Sequence, residues 1–151
     1  MTDSPSAGWF EGREHRLPVR VYYEDTDFTG VVYHANYLRF LERGRSDFLR
    51  LAGIGHAAFL ERPDPGAFVI TRIAVDFRKA ARIDDALVVR TTYDTVRGPR
   101  MWITQAITRG EAVIATAEVE AACIRPDGRP RRPPPELLQS LNPLLLPSSA
   151  S

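Results

Sequence analysis

A change of hydrophobic period partway along the chain constrains its fold more than any other feature. Between residues 36 and 55, apolar side chains recur at spacings of three and four, as on one face of a helix. From Phe68 onward the period is two, which is typical of strands. Four such runs follow one another, and the short turns "RGPR" and "RGE" separate the last three. Short turns favour antiparallel neighbours.

One more strand, "LPVRVYYED", precedes the helix. The sequence therefore predicts an α+β domain in which an antiparallel sheet of about five strands wraps around one long helix. Asn36 is a plausible helix cap, and Gly53 or Gly55 a plausible stop. Gly44 lies within the apolar stripe, where it costs about 1 kcal/mol relative to alanine. We expect a strand backbone to pack closely against it.

Length and composition place the chain among single-domain globular proteins. It has 151 residues and a net charge of +1, so no strong field favours nucleic acid or an anionic membrane. No stretch approaches the ~20 apolar residues of a membrane span, and the first fifteen residues lack the apolar segment of a signal peptide. We expect a cytoplasmic protein with a loose N-terminus at 1–15, a folded domain at 16–126 and a Pro/Arg-rich tail at 127–151.

The stretch "YYEDTDFTGVVYHANY", residues 22–37, concentrates chemistry ahead of the helix. A helix N-terminus offers unpaired N–H groups to a developing oxyanion. Asp25 or Asp27 is a candidate general base or nucleophile, His34 a candidate donor, and Gly30 permits a sharp turn. The alternative is structural, because Asp, Asn and His also serve as turn and capping residues.

Other catalytic chemistries find little support. There is no G-x-S-x-G motif and no phosphate-binding loop. His15, His34 and His56 lack a metal-ligand spacing with one another, and Cys123, the only cysteine, is expected to be a buried thiol. Ser46 has no histidine near it in sequence. We expect no metal and no bound cofactor.

The string "VRVYYEDTDFTGVVYHANYLRFLERGRSDFLR" resembles the hotdog-fold acyl-CoA thioesterases of the 4-hydroxybenzoyl-CoA thioesterase type. Among these it is most similar to the Tol-Pal-associated acyl-CoA thioesterases of bacteria. "AFVITRIAVDFRKAARIDDAL" and "TVRGPRMWITQ" continue the likeness, which spans roughly residues 17–126. The resemblance implies a hotdog fold, an acyl-CoA substrate, and active sites between the subunits of a homodimer or tetramer.

Carried over by position, the resemblance makes Asp27 the catalytic acid and places the carbonyl-polarising N–H at His34. Asp25 is then mainly structural. Phe28 and Thr29 replace a smaller pair before Gly30, and Phe28 is expected to trim or line the acyl pocket. Tyr23 and Tyr33 are candidate pocket walls, with core aromatics as the alternative.

Coenzyme A carries phosphates, which positively charged side chains must bind. The candidates are Arg97 and Arg100, which flank the "RGPR" turn, and Arg78, Lys79 and Arg82, although solvated surface charge is the simpler interpretation of each.

Two other functions remain open. One is a hotdog scaffold that binds acyl carrier protein or a cell-envelope partner, and the other is a hotdog dehydratase or hydratase. Release of free thiol from acyl-CoA distinguishes hydrolysis from both. The sequence also predicts assembly, because one helix covers only one sheet face and leaves Ile70, Ala74, Val88, Val96 and the strand edges without cover.

Overall fold

The computed structural model describes residues 7–147, which form one antiparallel sheet with a long helix across one of its faces. The hotdog-type α+β fold expected from the sequence is confirmed. In chain order the elements are β1 (Trp9–Glu11), β2 (Glu14–Arg20), α1 (His34–Leu51), α2 (His56–Leu60), β3 (Ala67–Phe77), β4 (Ala86–Arg97), β5 (Arg100–Arg109), β6 (Ala112–Ile124) and α3 (Pro135–Leu141). The strands are arranged β1-β2-β4-β5-β6-β3, so β3 lies at one edge.

Helix α1 packs very closely on the middle of the sheet. Phe40, Leu41 and Phe48 are completely or almost completely buried beneath it. A Cβ on Gly44 would stand 2.6 Å from Val89 Cγ1 and 2.9 Å from the Thr91 hydroxyl. The close approach expected at Gly44 is confirmed, but the nearest atoms belong to side chains of β4 and not to a strand backbone.

The N-terminus is more ordered than the sequence suggested. The prediction that residues 1–15 are loose is wrong from Trp9 onward, because β1 and β2 form a hairpin and bring the number of strands to six. The hairpin packs against α1 because Phe10 contacts Phe48 edge-on, with ring centroids 4.9 Å apart. Residues 1–6 of the predicted segment lie outside the described residues.

The boundary predicted at residue 126 is also wrong. The chain continues as α3, whose Leu137 and Leu141 side chains are fully buried in the hydrophobic core. Farther on, the Leu146 N–H donates to the Asp94 carbonyl of β4 at 3.1 Å. Residues 127–147 are thus part of the domain, and residues 148–151 of the predicted tail lie outside the described residues.

Two β-bulges change which side chains face the helix. Ile70 pairs with buried Ala121, and the register then shifts before Arg72, so Ile70 lies on the helix side of the sheet. A second shift, between Tyr93 and Thr95, turns Val96 toward the core beneath α3. The expectation that these two side chains lie on the outer face is wrong, because a bulge inverts strict alternation.

The edge strand β3 leaves several apolar side chains partly in solvent. Val69, Ile70 and Phe77 are each more than one third exposed. Across residues 7–147, none of the helices combines the length and the apolar character needed to cross a membrane.

Candidate active site in the loop before the long helix

The motif between β2 and α1 folds into a compact loop. A single 3₁₀ turn at Tyr23–Asp25 follows β2, and α1 begins at His34 with Tyr33 as its N-cap residue. The expectation that Asn36 caps the helix is wrong, because Asn36 lies buried in the first turn. Its side chain instead hydrogen-bonds to Asp25 in the loop.

Asp25 ties the loop to the helix. It is buried, its Oδ2 accepts from the Tyr22 N–H at 2.8 Å, and its Oδ1 accepts from the Asn36 amide at 2.7 Å. The Asp25 carbonyl also accepts from the Tyr33 N–H at 3.0 Å. A carboxylate with both oxygens engaged inside the protein is suited to fixing the loop and poorly suited to attacking a substrate.

Asp27 has the opposite environment. It is partly exposed, and only its Oδ1 is engaged, accepting from the Thr29 N–H at 2.8 Å and the Thr29 hydroxyl at 2.5 Å. The hydroxyl hydrogen bond and then the N–H hydrogen bond hold the pKa of Asp27 below its usual value. The turn closes through the Gly30 N–H and the Asp27 carbonyl at 3.2 Å. Gly30 has φ of +84°, which a residue with a side chain rarely adopts.

Helix α1 begins a few residues after Asp27 in the sequence. No main-chain hydrogen bond among residues 7–147 is donated by the His34 N–H, which is one of the orphan donors at a helix N-terminus. The His34 side chain is exposed, and its ring lies 4.5 Å from that of Tyr33. The loop and the start of α1 therefore contain a carboxylate oxygen without a hydrogen bond, an N–H without a main-chain acceptor and the positive end of a helix dipole.

The aromatic residues proposed as pocket walls are open to solvent in the single chain. Tyr23 is 80% exposed, Phe28 99% and Tyr33 49%. All three lie in the loop around Gly30 in sequence, but none of them lines a cavity in the described part of the chain.

The two groups of candidate phosphate ligands lie at opposite ends of the sheet. The segment before β4 pairs with the loop through a Val31–Arg82 bridge, which places Arg82 beside the candidate site. Arg97 and Arg100 lie beyond the other end of β4, whose twelve residues span about 36 Å. Within one chain, only the first group is near Asp27.

Two cavities lie farther along α1. An open groove of about 610 Å³ runs between β2 and α1, and an apolar cavity of about 90 Å³ lies between α1 and the strands β3, β5 and β6. The groove reaches the loop at Tyr22, Glu24 and Asp25, but neither cavity is lined by Asp27 or His34. Ser46, Glu42 and His56 line both cavities.

Comparison with known proteins identifies the family of the chain. The family model for the thioesterase-like superfamily matches residues 21–141, which include the loop, α1 and most of the sheet. The chain belongs to the thioesterase-like superfamily.

Its relatives in this superfamily are hydrolases of CoA thioesters by name. The acyl-CoA thioesterase YbgC of Haemophilus influenzae is 43% identical over 72% of this chain and 79% of that protein. The acyl-CoA thioester hydrolase YbgC of Escherichia coli is 41% identical over 74% of this chain and 82% of that protein. A crystal structure of a probable thioesterase from Bartonella henselae has a TM-score of 0.78 and 41% identity, covering 80% of this chain and 99% of that one. The predicted hotdog thioesterase family and enzyme class are confirmed.

One contact escaped sequence reasoning. Ser46 was set aside because no histidine is near it in sequence, yet its hydroxyl lies 2.9 Å from His56 Nε2. The spacing of ten residues becomes a contact because α1 ends at Leu51 and α2 begins at His56. Among residues 7–147, no cluster of three or more His, Cys, Asp or Glu side chains is arranged to hold a metal ion.

Proposed function

We propose that this chain hydrolyses acyl-CoA thioesters to a free acid and coenzyme A at the loop before α1. The observation that carries the proposal is the environment of Asp27. Its carboxylate is partly exposed, leaves Oδ2 available, and has a lowered pKa, and the helix that follows begins with an N–H that has no main-chain acceptor. The 41–43% identity to the YbgC thioesterases supports the CoA thioester as the substrate class.

In the proposed reaction, the His34 N–H and the helix dipole stabilise negative charge on the thioester oxygen. Asp27 either removes a proton from the attacking water or attacks the carbonyl itself, and CoA leaves as a thiolate that takes up a proton. The His34 imidazole is secondary, so we expect His34→Ala to reduce turnover less than Asp27→Asn. Single-turnover hydrolysis in ¹⁸O-labelled water separates the two roles of Asp27, because only direct attack puts label into its carboxylate.

The aromatic residues of the loop support a shared active site. Tyr23, Phe28 and Tyr33 expose large apolar surfaces that a second subunit would cover. The edge strand β3 offers a place for that subunit, since it has a free edge and partly exposed apolar side chains. We propose a homodimer with a continuous sheet across β3, paired again into tetramers.

Such pairing has a consequence for coenzyme A. A two-fold axis through antiparallel β3 strands sets the end of one β3 beside the start of the other. Because Arg100 pairs with Ala122, which in turn pairs with Val69 near the start of β3, Arg97 and Arg100 of one subunit would lie toward the Asp27 loop of the other. We propose that they bind the phosphates there, with Arg78, Lys79 and Arg82 contributing from the same subunit as Asp27.

Release of free thiol from a panel of acyl-CoAs tests the activity. We expect turnover by the natural chain and almost none by Asp27→Asn. A hotdog scaffold for acyl carrier protein or a cell-envelope partner such as Tol-Pal would release very little thiol with either chain, and a hydratase would release none. The same panel with acyl carrier protein thioesters compares the two kinds of carrier.

A complementation experiment tests the shared site. Asp27→Asn is mixed with the double variant Arg97→Gln/Arg100→Gln, subunits are exchanged, and hydrolysis is measured at low acyl-CoA concentration. If the site takes Asp27 from one subunit and the arginines from the other, one site of each mixed dimer has both sets intact and activity returns. If all groups come from one subunit, mixing restores nothing. A fully active monomer, seen by light scattering at assay concentration, would contradict the dimer itself.

A cytoplasmic location also remains a proposal. Cys123 is buried and unpaired, and burial raises the pKa of its thiol to about 11, which suits a thiol that stays reduced.

A further inference from the structure

Three polar side chains form a hydrogen-bonded array partway along α1. The Ser46 hydroxyl lies 2.7 Å from Glu42 Oε1 and 2.9 Å from His56 Nε2. Glu42 and Ser46 are one helical turn apart on α1, and His56 is the first residue of α2. Ser46 is buried, whereas Glu42 is exposed in the single chain. The polar array, Glu42–Ser46–His56, is not used by the reaction proposed above.

The directions of its hydrogen bonds exclude a nucleophilic serine. A carboxylate only accepts, so the Ser46 hydroxyl donates to Glu42. The same oxygen must then accept from His56, which fixes the N–H of the ring at Nε2. An activated serine needs the reverse arrangement, in which the histidine accepts the serine proton. The polar array therefore orients the Glu42 carboxylate and leaves its Oε2 free.

The three residues of the polar array also line a small, mostly apolar cavity. The cavity of about 90 Å³ is lined, besides the polar array, by Arg45, Leu49, Phe68, Ile70, Tyr93, Met101, Ile103 and Ala121. A water molecule occupies about 30 Å³ in the liquid, so the cavity has room for only a few non-hydrogen atoms. A small apolar space with one oriented acceptor suits a short hydrocarbon segment that ends in a hydrogen-bond donor.

The polar array is remote from the carbonyl-polarising amide of its own subunit. Glu42 follows His34 by eight residues, which is about 12 Å along the helix axis. If the thioester is bound at His34 of the same subunit, the Glu42 carboxylate is placed to meet the far end of the acyl group. If the thioester is bound at His34 of a partner subunit, the acyl group that reaches Glu42 is shorter.

We propose that the polar array is a specificity site for acyl groups that carry a hydroxyl at the end remote from the thioester. The inference rests on the proposed thioesterase function and deepens it. Glu42 accepts the substrate hydroxyl, while Ser46 and His56 are positioning residues that act through Glu42. A methyl group in the same place would leave the oriented carboxylate without its partner, which disfavours the purely aliphatic analogue.

Matched substrates test the proposal by exchanging only hydroxyl for methyl. One pair is 3-hydroxypropionyl-CoA and butyryl-CoA, and the longer pair is 6-hydroxyhexanoyl-CoA and heptanoyl-CoA. We expect the natural chain to prefer the hydroxyl member of at least one pair by about tenfold or more in kcat/KM. A preference in the longer pair points to a site within one subunit, and a preference in the shorter pair to a site shared across the dimer.

Variants then separate specificity from structure. Glu42→Met should bring the kcat/KM ratio toward one, and Ser46→Ala should lower it, while Ser46→Thr, which keeps the hydroxyl, should restore it. Glu61→Met, at an exposed glutamate just after α2, is the matched control and should leave the ratio unchanged. Melting temperatures show whether the buried Ser46 position tolerates the changes.

The opposing outcomes are distinct. Hydrolysis of all four substrates without a hydroxyl preference overturns the inference and leaves the thioesterase function standing. An equal fall in kcat on every substrate with Glu42→Met means that the carboxylate works at the reacting carbonyl, which also overturns it. If the natural chain releases no thiol from any of the four substrates or the wider panel, the proposed function itself fails.

Discussion

Two regions of this protein each contain an aspartate and a histidine, but in opposite environments. In the loop before α1, Asp27 and His34 lie at the surface with donor and acceptor groups to spare. Where the β1–β2 hairpin meets α1, Asp47 and His15 are buried, with His15 Nε2 2.8 Å from Asp47 Oδ2. We call this second cluster the hairpin clasp: His15, Asp47, Gly8 and Arg50.

Both carboxylate oxygens of Asp47 are engaged in the hairpin clasp, whereas His15 Nδ1 is buried without a hydrogen-bond partner among the described residues. The Gly8 N–H donates to Asp47 Oδ2 at 2.8 Å, and Arg50 donates to Oδ1 at 3.0 Å. A Cβ on Gly8 would stand 2.2 Å from the Arg16 carbonyl oxygen, so only glycine fits there. A close Asp–His pair is thus no sign of catalysis by itself. Access to solvent and a carboxylate oxygen without a hydrogen bond distinguish Asp27 in the loop from Asp47 in the clasp.

The largest expected effect contrasts activity in the two regions. Asp27→Asn should lower kcat by about 100- to 10,000-fold, because it removes the base or nucleophile. The free energy of unfolding should change little, since Asp27 is partly exposed and its carboxylate hydrogen-bonds only to Thr29 in its own turn. Acyl-CoA turnover and urea unfolding of the same preparation measure both. Near-normal turnover would remove Asp27 from the mechanism.

Asp47→Ala should show the converse. Removing Asp47 leaves the Gly8 and His15 donors without their acceptor, and each buried donor left unsatisfied typically costs about 1–3 kcal/mol. Turnover per folded molecule should fall far less than in Asp27→Asn. Urea unfolding gives the loss of stability, and turnover normalised to the folded fraction gives the activity. A variant of full stability would show that the clasp contributes little to the fold.

The sequence predicted these regions unequally. The period-3.6 stripe located α1 and the period-2 runs located β3 to β6, because burial of one face imposes those periods. The loop was found because "EDTD" and "GVVYH" combine several reactive groups within sixteen residues. The hairpin clasp was missed, because His15 and Asp47 are 32 residues apart and meet only through tertiary packing.

The errors have equally local causes. The prolines of "RPRRPPPELL" indicated a tail, yet Pro135 is the first residue of α3, a position that tolerates proline because it has no helical hydrogen bond to lose. Leu137 and Leu141, four residues apart, were the signal for an amphipathic turn. The face of Ile70 was misjudged because strict alternation cannot foresee the bulge at Thr71.

A smaller effect concerns the pH dependence of the hairpin clasp. Burial lowers the pKa of His15, although its hydrogen bond and ion pair with Asp47 work in the opposite direction. The unfolded chain therefore takes up a proton near the ordinary histidine pKa of about 6.5, before the folded chain does. Stability contributed by neutral His15 should be fully present above that pH and decline as the pH falls toward the lowered pKa.

His15→Gln tests this dependence, because a glutamine amide can still donate toward Asp47 but does not titrate. Melting temperatures between about pH 5 and pH 8 should fall on the acid side more steeply for the natural chain than for the variant. His34→Gln is the matched control, since His34 is exposed and outside the clasp. Parallel curves for the natural chain and His15→Gln would show that this histidine is not the group responsible.

The smallest expected effect concerns how Asp27 is kept ionised. The hydroxyl of Thr29 is the largest cause of the lowered pKa of Asp27, with the Thr29 N–H second. A lowered pKa keeps Asp27 charged to more acid pH, so kcat/KM should be constant through neutral pH and fall only below the pKa of an ordinary aspartate, about 3.9.

Thr29→Val removes the hydroxyl but keeps the N–H and the shape. It should move this acid limb of the kcat/KM profile toward higher pH, while turnover at neutral pH changes little. Thr26→Val is the control, because the Thr26 hydroxyl bonds to the Tyr23 carbonyl and not to Asp27. Initial rates are measured before the protein unfolds in acid, together with the folded fraction at each pH. These data give the acid limb of the kcat/KM profile for the natural chain and for Thr29→Val. If Thr29→Val and the natural chain share one acid limb, the group that titrates in the reaction is not the carboxylate of this turn.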